Sequence, residues 1–193
     1  MRALQTKHNG VLYRSRTEAR WAVFFEQMGW TFVYEPEGYD LDGEWYLPDF
    51  WLQEFEMFVE IKAEAPTEAE IAKAEALHKY SRERVILIAG SPGIETYQII
   101  EWRDGKRAGH GVPVEMFNGD IEVDCCFLSC RRCENSVIAC LSEKDMYMSW
   151  DELLPPSEKC SRRDCGDRYP MVSRRMKAAY EAAQNSRFGV HEA

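Results

Sequence analysis

The sequence predicts an α/β protein built on a mixed sheet, followed by a small cysteine-rich module. In the first 115 or so residues, helical patterns alternate with short β-branched and aromatic runs, in the order helix, three strands, helix, one or two strands. One run, residues 84–90, is continuously apolar, which is typical of a strand buried on both faces. Beyond it cysteines and charged turns dominate, so we predict a core at 1–115 and a module at 116–193 that ends in a helix.

Composition and charge favour a folded protein outside the membrane. With 193 residues, 45% of them hydrophobic, the chain has material for one ordinary domain and a small appendage. No apolar run approaches the roughly 20 residues of a membrane span, and the N-terminus lacks the apolar segment of a signal peptide, so we expect a cytoplasmic protein. The net charge of −9 argues against non-specific coating of nucleic acid, although clustered basic residues could still dock a polyanion.

The first helix is predicted from its ends. Ser15 to Glu18 has the pattern of a capping box, and Gly29 suits the end of a helix that runs to about Met28. Its apolar positions form one inward face, and Glu18 belongs to that face. A short strand follows at residues 31–34.

Later elements follow from similar signals. Two apolar runs between residues 45 and 62, separated by an acidic turn, predict two paired strands. A capping pattern at 66–70 opens a helix to about residue 81, and the strand at 84–90 is followed by another at 97–102. A final helix is predicted at about 171–187.

Three charges interrupt the two apolar runs: Asp49 in the first, and Glu60 and Lys62 in the second. Alternate strand residues share a face, so Glu60 and Lys62 project together, which is costly in a core unless they pair or hold an ion. Less specific interpretations remain. Glu18 could serve only the helix cap, Glu60 and Lys62 could lie on a solvated face, and Asp49 could be a turn residue.

Pro48-Asp49 followed by Glu60-Ile61-Lys62 resembles the pattern of the PD-(D/E)xK nuclease superfamily, which has the restriction-endonuclease-like fold. The Thr-Glu-Ala-Arg-Trp helix at 17–21 resembles phage and transposon-type members. The resemblance implies a Mg²⁺-dependent DNA endonuclease that hydrolyses phosphodiester bonds, encoded by a phage or mobile element and acting in the host cytoplasm.

The residue types suit that chemistry. Asp49 and Glu60 are hard oxygen ligands for Mg²⁺ or Mn²⁺, and Lys62 could orient or activate the attacking water or donate to the phosphate. The resemblance implies the carbonyl of Ile61 as a further ligand. Glu18 could bind a second metal or hydrogen-bond to a metal-bound water.

The cysteines predict a second metal site. Cys130 and Cys133 have the spacing of a zinc knuckle, and Cys160 with Cys165 could complete a structural Zn²⁺ site. Cys140 could replace one member, Cys126 could be an apolar core residue, and all seven cysteines could be ordinary thiols. Four arginines within the two turns are candidates for nucleic-acid contact: Arg131, Arg132, Arg162 and Arg163.

A different class of function stays open. The chain could be a catalytically inactive protein of nuclease fold that binds nucleic acid or another protein, and the motif does not exclude RNA as substrate. Relatives of this kind often act as dimers or with a partner subunit, so a homodimer or partner subunit is possible.

Overall fold

A mixed sheet of eight described strands forms the centre of the computed structural model. The structure describes residues 4–93, 97–103, 105–108, 124–129, 136–141 and 173–189. The strands of this sheet lie in the order β12-β11-β9-β8-β7-β6-β3, with β10 paired to β9. The neighbours β7 and β8 are parallel and the other pairs are antiparallel, which confirms the predicted α/β class and mixed sheet.

The elements have the following bounds: β1 Thr6–His8, β2 Val11–Tyr13, α1 Arg16–Met28, β3 Phe32–Tyr34, β4 Tyr39–Leu41, β5 Glu44–Tyr46, β6 Phe50–Leu52, a 3-10 turn Gln53–Phe55, β7 Met57–Lys62, α2 Glu68–Ser81, β8 Arg84–Gly90, β9 Tyr97–Arg103, β10 Lys106–Ala108, β11 Asp124–Ser129, β12 Ser136–Leu141 and α3 Arg174–Asn185. The pairs β1–β2 and β4–β5 form two separate hairpins.

Local signals set the ends of the helices. The Ser15 side chain caps α1, and Gly29 ends it in the left-handed region at φ 68°, where the missing Cβ removes the steric cost. At α2, Thr67 and Glu70 form a complete capping box. Both helices therefore begin and end close to where the sequence predicts.

The two faces of the sheet carry different helices. Helices α1 and α3 cover one face, where the ring of Phe24 stacks on that of Tyr180 with 4.5 Å between centroids. Helix α2 covers the other face, where Leu77 packs among buried residues of β7, β8 and β9. Side chains of β7 therefore alternate between the two cores, with Val59 and Ile61 facing α1.

One predicted strand is wrong. The apolar run at 45–52 does not form a single strand, because Glu44–Tyr46 pairs with Tyr39–Leu41 in a hairpin of its own. Only Phe50–Leu52 joins the main sheet, between β3 and β7. Asp49 therefore precedes β6 instead of lying within it.

Described parts of the C-terminal segment share the core of the first 115 residues. Strand β11 pairs with β9, Phe127 lies against Trp21, and α3 packs on α1. The division of the chain at residue 115 itself stays a prediction. Over the residues that the structure describes, no helix is long and apolar enough to cross a membrane.

Candidate functional site

Asp49, Glu60 and Lys62 are brought together by the antiparallel pairing of β6 with β7. Glu60 and Lys62 alternate with Val59 and Ile61 along β7, so their side chains leave the sheet on the face that carries α2. Asp49 lies just before β6, and its Oδ2 accepts a hydrogen bond from the backbone N–H of Ile61 at 2.7 Å. The predicted motif therefore forms one cluster.

Asp49 is buried, with 2% of its surface exposed, and its charge is poorly compensated. Burial raises the pKa of its carboxyl well above 3.8, and the negative charges of Glu60 and Glu18 raise it further. The Ile61 N–H and the guanidinium of Arg14, which pairs with Oδ1, oppose this shift without cancelling it. The Asp49 carboxyl therefore keeps its proton to a higher pH than an exposed aspartate does.

Glu60 has one satisfied and one unsatisfied oxygen. Its Oε1 accepts from the ammonium of Lys62 at 2.7 Å, while its Oε2 is buried and has no hydrogen-bond partner among the described residues. The hydroxyl of Tyr46 is likewise buried and unpartnered within that part of the chain. Burial raises the pKa of Tyr46, and the charge of Glu60 and a side-chain interaction with that carboxylate raise it further. The hydroxyl and the carboxylate are therefore near neighbours, although they do not meet the geometry of a hydrogen bond. Buried polar atoms of this kind are costly, which marks the space around Oε2 as suited to a cation or a water.

Lys62 stays charged at neutral pH. Burial alone would lower its pKa, but the carboxylates of Glu60, Asp49 and Glu70 outweigh burial and raise it. Its Nζ lies 3.5 Å from an oxygen of Glu70 on α2 as well as 2.7 Å from Glu60. Because the amine is protonated, it can donate hydrogen bonds but cannot accept a proton.

The backbone of Glu18 belongs to the helix cap, while its side chain contacts Tyr34 and Arg14. Its N–H donates to the Ser15 hydroxyl at 3.1 Å, which is half of the predicted capping box. Its carboxylate instead accepts from the Tyr34 hydroxyl at 2.7 Å and from the Arg14 N–H at 3.2 Å. Burial and the hydrogen bond to Glu18 raise the pKa of Tyr34. Glu18 is 6% exposed.

Two of the less specific interpretations fit this geometry poorly. Glu60 is 6% exposed, so it does not lie on a solvated sheet face, and Asp49 is too deeply buried for an ordinary edge turn. For Glu18, the capping interpretation accounts for its backbone, and hydrogen bonds from Tyr34 and Arg14 hold its carboxylate.

Sequence reasoning missed how strongly Arg14 is tied to the site. Its guanidinium pairs with Asp49 and with Glu35, the latter at 3.0 Å, and its backbone N–H also donates to Tyr34. Asp49 lies 35 positions away in the sequence, and no local pattern predicts such a pairing. The one available signal is chemical: a buried acidic cluster requires a cation, and Arg14 is close in sequence to Glu18.

The predicted Mg²⁺ ligands do not converge on one position that could hold a metal ion. Within the described ranges, no group of three His, Cys, Asp or Glu side chains is placed to hold a metal ion. Arg14 and the Ile61 N–H occupy the two oxygens of Asp49, Lys62 occupies one oxygen of Glu60, and Tyr34 holds Glu18. The unpartnered Oε2 of Glu60 and the nearby carboxylate of Asp49 nevertheless offer hard oxygen ligands that suit a divalent cation.

The predicted zinc ligands and their neighbouring arginines lie outside the described residues: Cys130, Cys133, Cys160, Cys165, Arg131, Arg132, Arg162 and Arg163. The backbones of the other three cysteines are described: Cys125 of β11 lies directly opposite Cys140 of β12, and Cys126 lies opposite Ala139. The zinc site therefore stays a prediction.

Comparison with known proteins adds no relative: no family model matches the chain, and no curated protein or solved structure matches it significantly.

Proposed function

We propose that this protein is a Mg²⁺- or Mn²⁺-dependent nuclease that hydrolyses phosphodiester bonds in DNA at the Asp49–Glu60–Lys62 cluster. The observation that carries the proposal is the convergence of the buried carboxylates Asp49 and Glu60 with the ammonium of Lys62, where Oε2 of Glu60 has no hydrogen-bond partner among the described residues. Such a cluster is unfavourable in a core with no catalytic or binding role, and perturbed carboxylates concentrate at functional sites. The motif's resemblance to PD-(D/E)xK nucleases supplies the reaction class.

Each residue of the site would have a separate role. Asp49 and Glu60 would hold the ion, with the Ile61 carbonyl as the further ligand that the resemblance implies. When bound, a divalent ion lowers the pKa of a coordinated water and neutralises charge on the phosphate. Glu18 would orient a water through its carboxylate. Arg14 competes with a cation for Oδ1 of Asp49, so ion binding requires this pair to open.

Lys62 would act as a donor to the phosphate or to the attacking water. Its raised pKa keeps the amine protonated, and a protonated amine cannot take a proton from water. Its positive charge, held beside Glu60, would stabilise negative charge that develops on the phosphate oxygens. The proton of the attacking water would then leave to solvent or to a carboxylate of the site.

A structural Zn²⁺ site formed by the cysteine-rich segment is part of the same proposal. It rests on the spacing of Cys130 with Cys133 and of Cys160 with Cys165. Metal analysis of protein purified without chelator tests it, and we expect roughly one zinc per chain. Protein without zinc would overturn this part alone.

A cleavage panel tests the nuclease proposal. Purified protein is incubated with supercoiled circular, nicked, linear, branched and single-stranded DNA, and with RNA, in the presence of Mg²⁺, Mn²⁺ or EDTA. We expect cleavage of DNA with either ion and none with EDTA. Conversion of circles to nicked or linear forms identifies endonuclease action.

The competing function is that of an inactive protein of nuclease fold that binds nucleic acid or protein. The occupied oxygens of Asp49 and Glu60, and the lack of an assembled three-ligand group among the described residues, favour it. It predicts that no substrate in the panel is cleaved with either ion, even where DNA binding is measurable. That outcome would contradict the nuclease proposal.

A further inference from the structure

A cleft of about 500 Å³ lies between the first turns of α1 and the end of α3. Arg16 and Arg20 line it from α1, and Arg187 lines it from the segment just after α3. The side chains of Gln184 and Asn185 add amide groups. The cleft is therefore lined by three arginines, three neutral polar residues and one phenylalanine at the meeting point of two helices.

These three guanidinium groups have no ion pair or side-chain hydrogen bond with any other residue that the structure describes. The Nε of Arg20 is shielded from solvent and has no acceptor among those residues. A buried donor that has no partner destabilises the folded state. Three arginines converge here with no carboxylate partner among the described residues, so the acceptor that suits them is an anionic ligand.

We propose that this cleft binds a phosphate group of a nucleic-acid strand. A guanidinium offers paired donors that match phosphate oxygens, and arginine is preferred where such groups are bound. Gln184 and Asn185 can add neutral donors. The C-terminal end of α3 contributes a partial negative charge, equivalent to about half an elementary charge, which three full positive charges outweigh.

The cleft lies on the side of α1 that faces away from Glu18, whereas Glu60 and Lys62 leave the sheet on the face that carries α2. Arg16 and Arg20 are two positions before and two after Glu18, so they project from the side of α1 opposite to Glu18. A helix with its side chains is about 10 Å across, so the cleft and Glu18 lie on either side of one helix. The nucleic-acid identity of the ligand rests on the proposed function, whereas the phosphate chemistry rests on the arginines alone.

The test is a titration of a short fluorescein-labelled DNA duplex in EDTA, repeated over a range of salt concentrations. The variants are Arg16→Ala/Arg187→Ala, which changes two exposed side chains, and the same pair with Arg20→Gln, which keeps most of the buried stem. Arg82→Ala is the matched control because it removes an exposed guanidinium at the end of α2, on the opposite face of the sheet. Thermal unfolding of each variant confirms that it is folded.

We expect both cleft variants to bind the duplex more weakly than wild type. The slope of log K against log salt should fall in magnitude by about one for each phosphate that the variant no longer neutralises. Arg82→Ala should match wild type. Cleft variants with the affinity and salt slope of Arg82→Ala would overturn the proposal. Stabilisation of wild type by inorganic phosphate, with duplex binding unchanged in the variants, would also overturn it, because the cleft would then take small anions only.

The two proposals fail separately. Weaker duplex binding by the cleft variants, in a protein that cleaves nothing, would support the cleft and contradict the nuclease. Metal-dependent cleavage by wild type, with duplex binding unchanged in the cleft variants, would support the nuclease proposal and contradict the cleft proposal. Because the binding assay contains EDTA and changes no residue of the carboxylate cluster, neither result depends on the other.

Discussion

The ammonium of Lys62 donates to Oε1 of Glu60 at 2.7 Å, while the other oxygen of the same carboxylate is buried without a partner among the described residues. Oε1 of Glu60 is thus paired with a cation on its own strand, whereas Oε2 can still accept a hydrogen bond or coordinate a ligand. This asymmetry makes the pair suited to holding a metal ion and a phosphate side by side. Substitutions at single residues of the cluster separate these roles.

Replacing Lys62 should impair cleavage more than metal binding. Lys62→Met keeps the length of the side chain and removes its charge, so stabilisation of the phosphate is lost. We expect the cleavage rate to fall by about 10²–10³-fold, as when one transition-state donor is removed. Stabilisation of the fold by Mn²⁺, measured as a shift in Tm, should persist. Lys79→Met, which breaks only a surface pair with Glu75, is the control. An equal rate in both variants would remove Lys62 from the mechanism.

Asp49→Asn should stabilise the protein in EDTA at neutral pH. The raised pKa of Asp49 means that the folded state binds this proton more tightly than the unfolded state. Wild-type stability therefore falls as pH rises from about 3.8 through the folded-state pKa, and the neutral amide avoids that loss. We expect a higher Tm for the variant in EDTA, and little further rise with Mn²⁺. A lower Tm than wild type would show that the Arg14 pair outweighs the repulsion.

Glu18→Gln distinguishes the cap from the catalytic site. The Ser15 hydroxyl accepts from the backbone N–H of Glu18, so the cap survives the substitution. The amide oxygen of Gln can still accept from Tyr34 and Arg14, and stability should change by less than about 1 kcal/mol in urea unfolding. Cleavage should nevertheless drop, because the negative charge is gone. Wild-type cleavage by a stable variant would assign Glu18 a purely structural role.

The sequence predicts those features of the fold that are set by residues close together in the chain, such as helix ends and turns. Ser15, Gly29, Thr67 and Glu70 act within a few residues of one helix end, and both predicted helices have the expected bounds. The Asp42-Gly43 turn is an equally local signal for the β4–β5 hairpin, since both residues have positive φ. The prediction of one strand over the run at 45–52 failed because it left that turn out.

Long-range pairing is where prediction fails. Asp49, Glu60 and Lys62 could be placed together because one strand pairing joins them. The contacts from Arg14 to Asp49 and from Tyr34 to Glu18 depend on how α1 packs on the sheet, which no local pattern specifies. The same holds for Arg187, which reaches the α1 cleft only because α3 packs on α1.

Alkaline stability tests the burial of Tyr13. Burial, with the charges of Glu26 and Glu18, raises the pKa of Tyr13 from 10.0 to about 12. The folded state therefore keeps the proton longer, and its contribution to stability is complete below pH 10 and is lost as pH rises towards 12. Tyr13 alone accounts for at most about 3 kcal/mol of this loss. Urea unfolding between pH 9 and 11 should show a smaller decline for Tyr13→Phe than for wild type or for the exposed control Tyr80→Phe. Parallel declines in all three would contradict it.

The central claim is that Glu60 helps to hold a divalent ion which is required for phosphodiester hydrolysis. The most direct measurement is the single-turnover cleavage rate of Glu60→Gln with saturating Mg²⁺, beside wild type and the exposed control Glu68→Gln on α2. We predict a loss on the order of a hundred-fold or more for Glu60→Gln and none for the control. Equal rates for wild type and Glu60→Gln would show that the carboxylate cluster is not the active site.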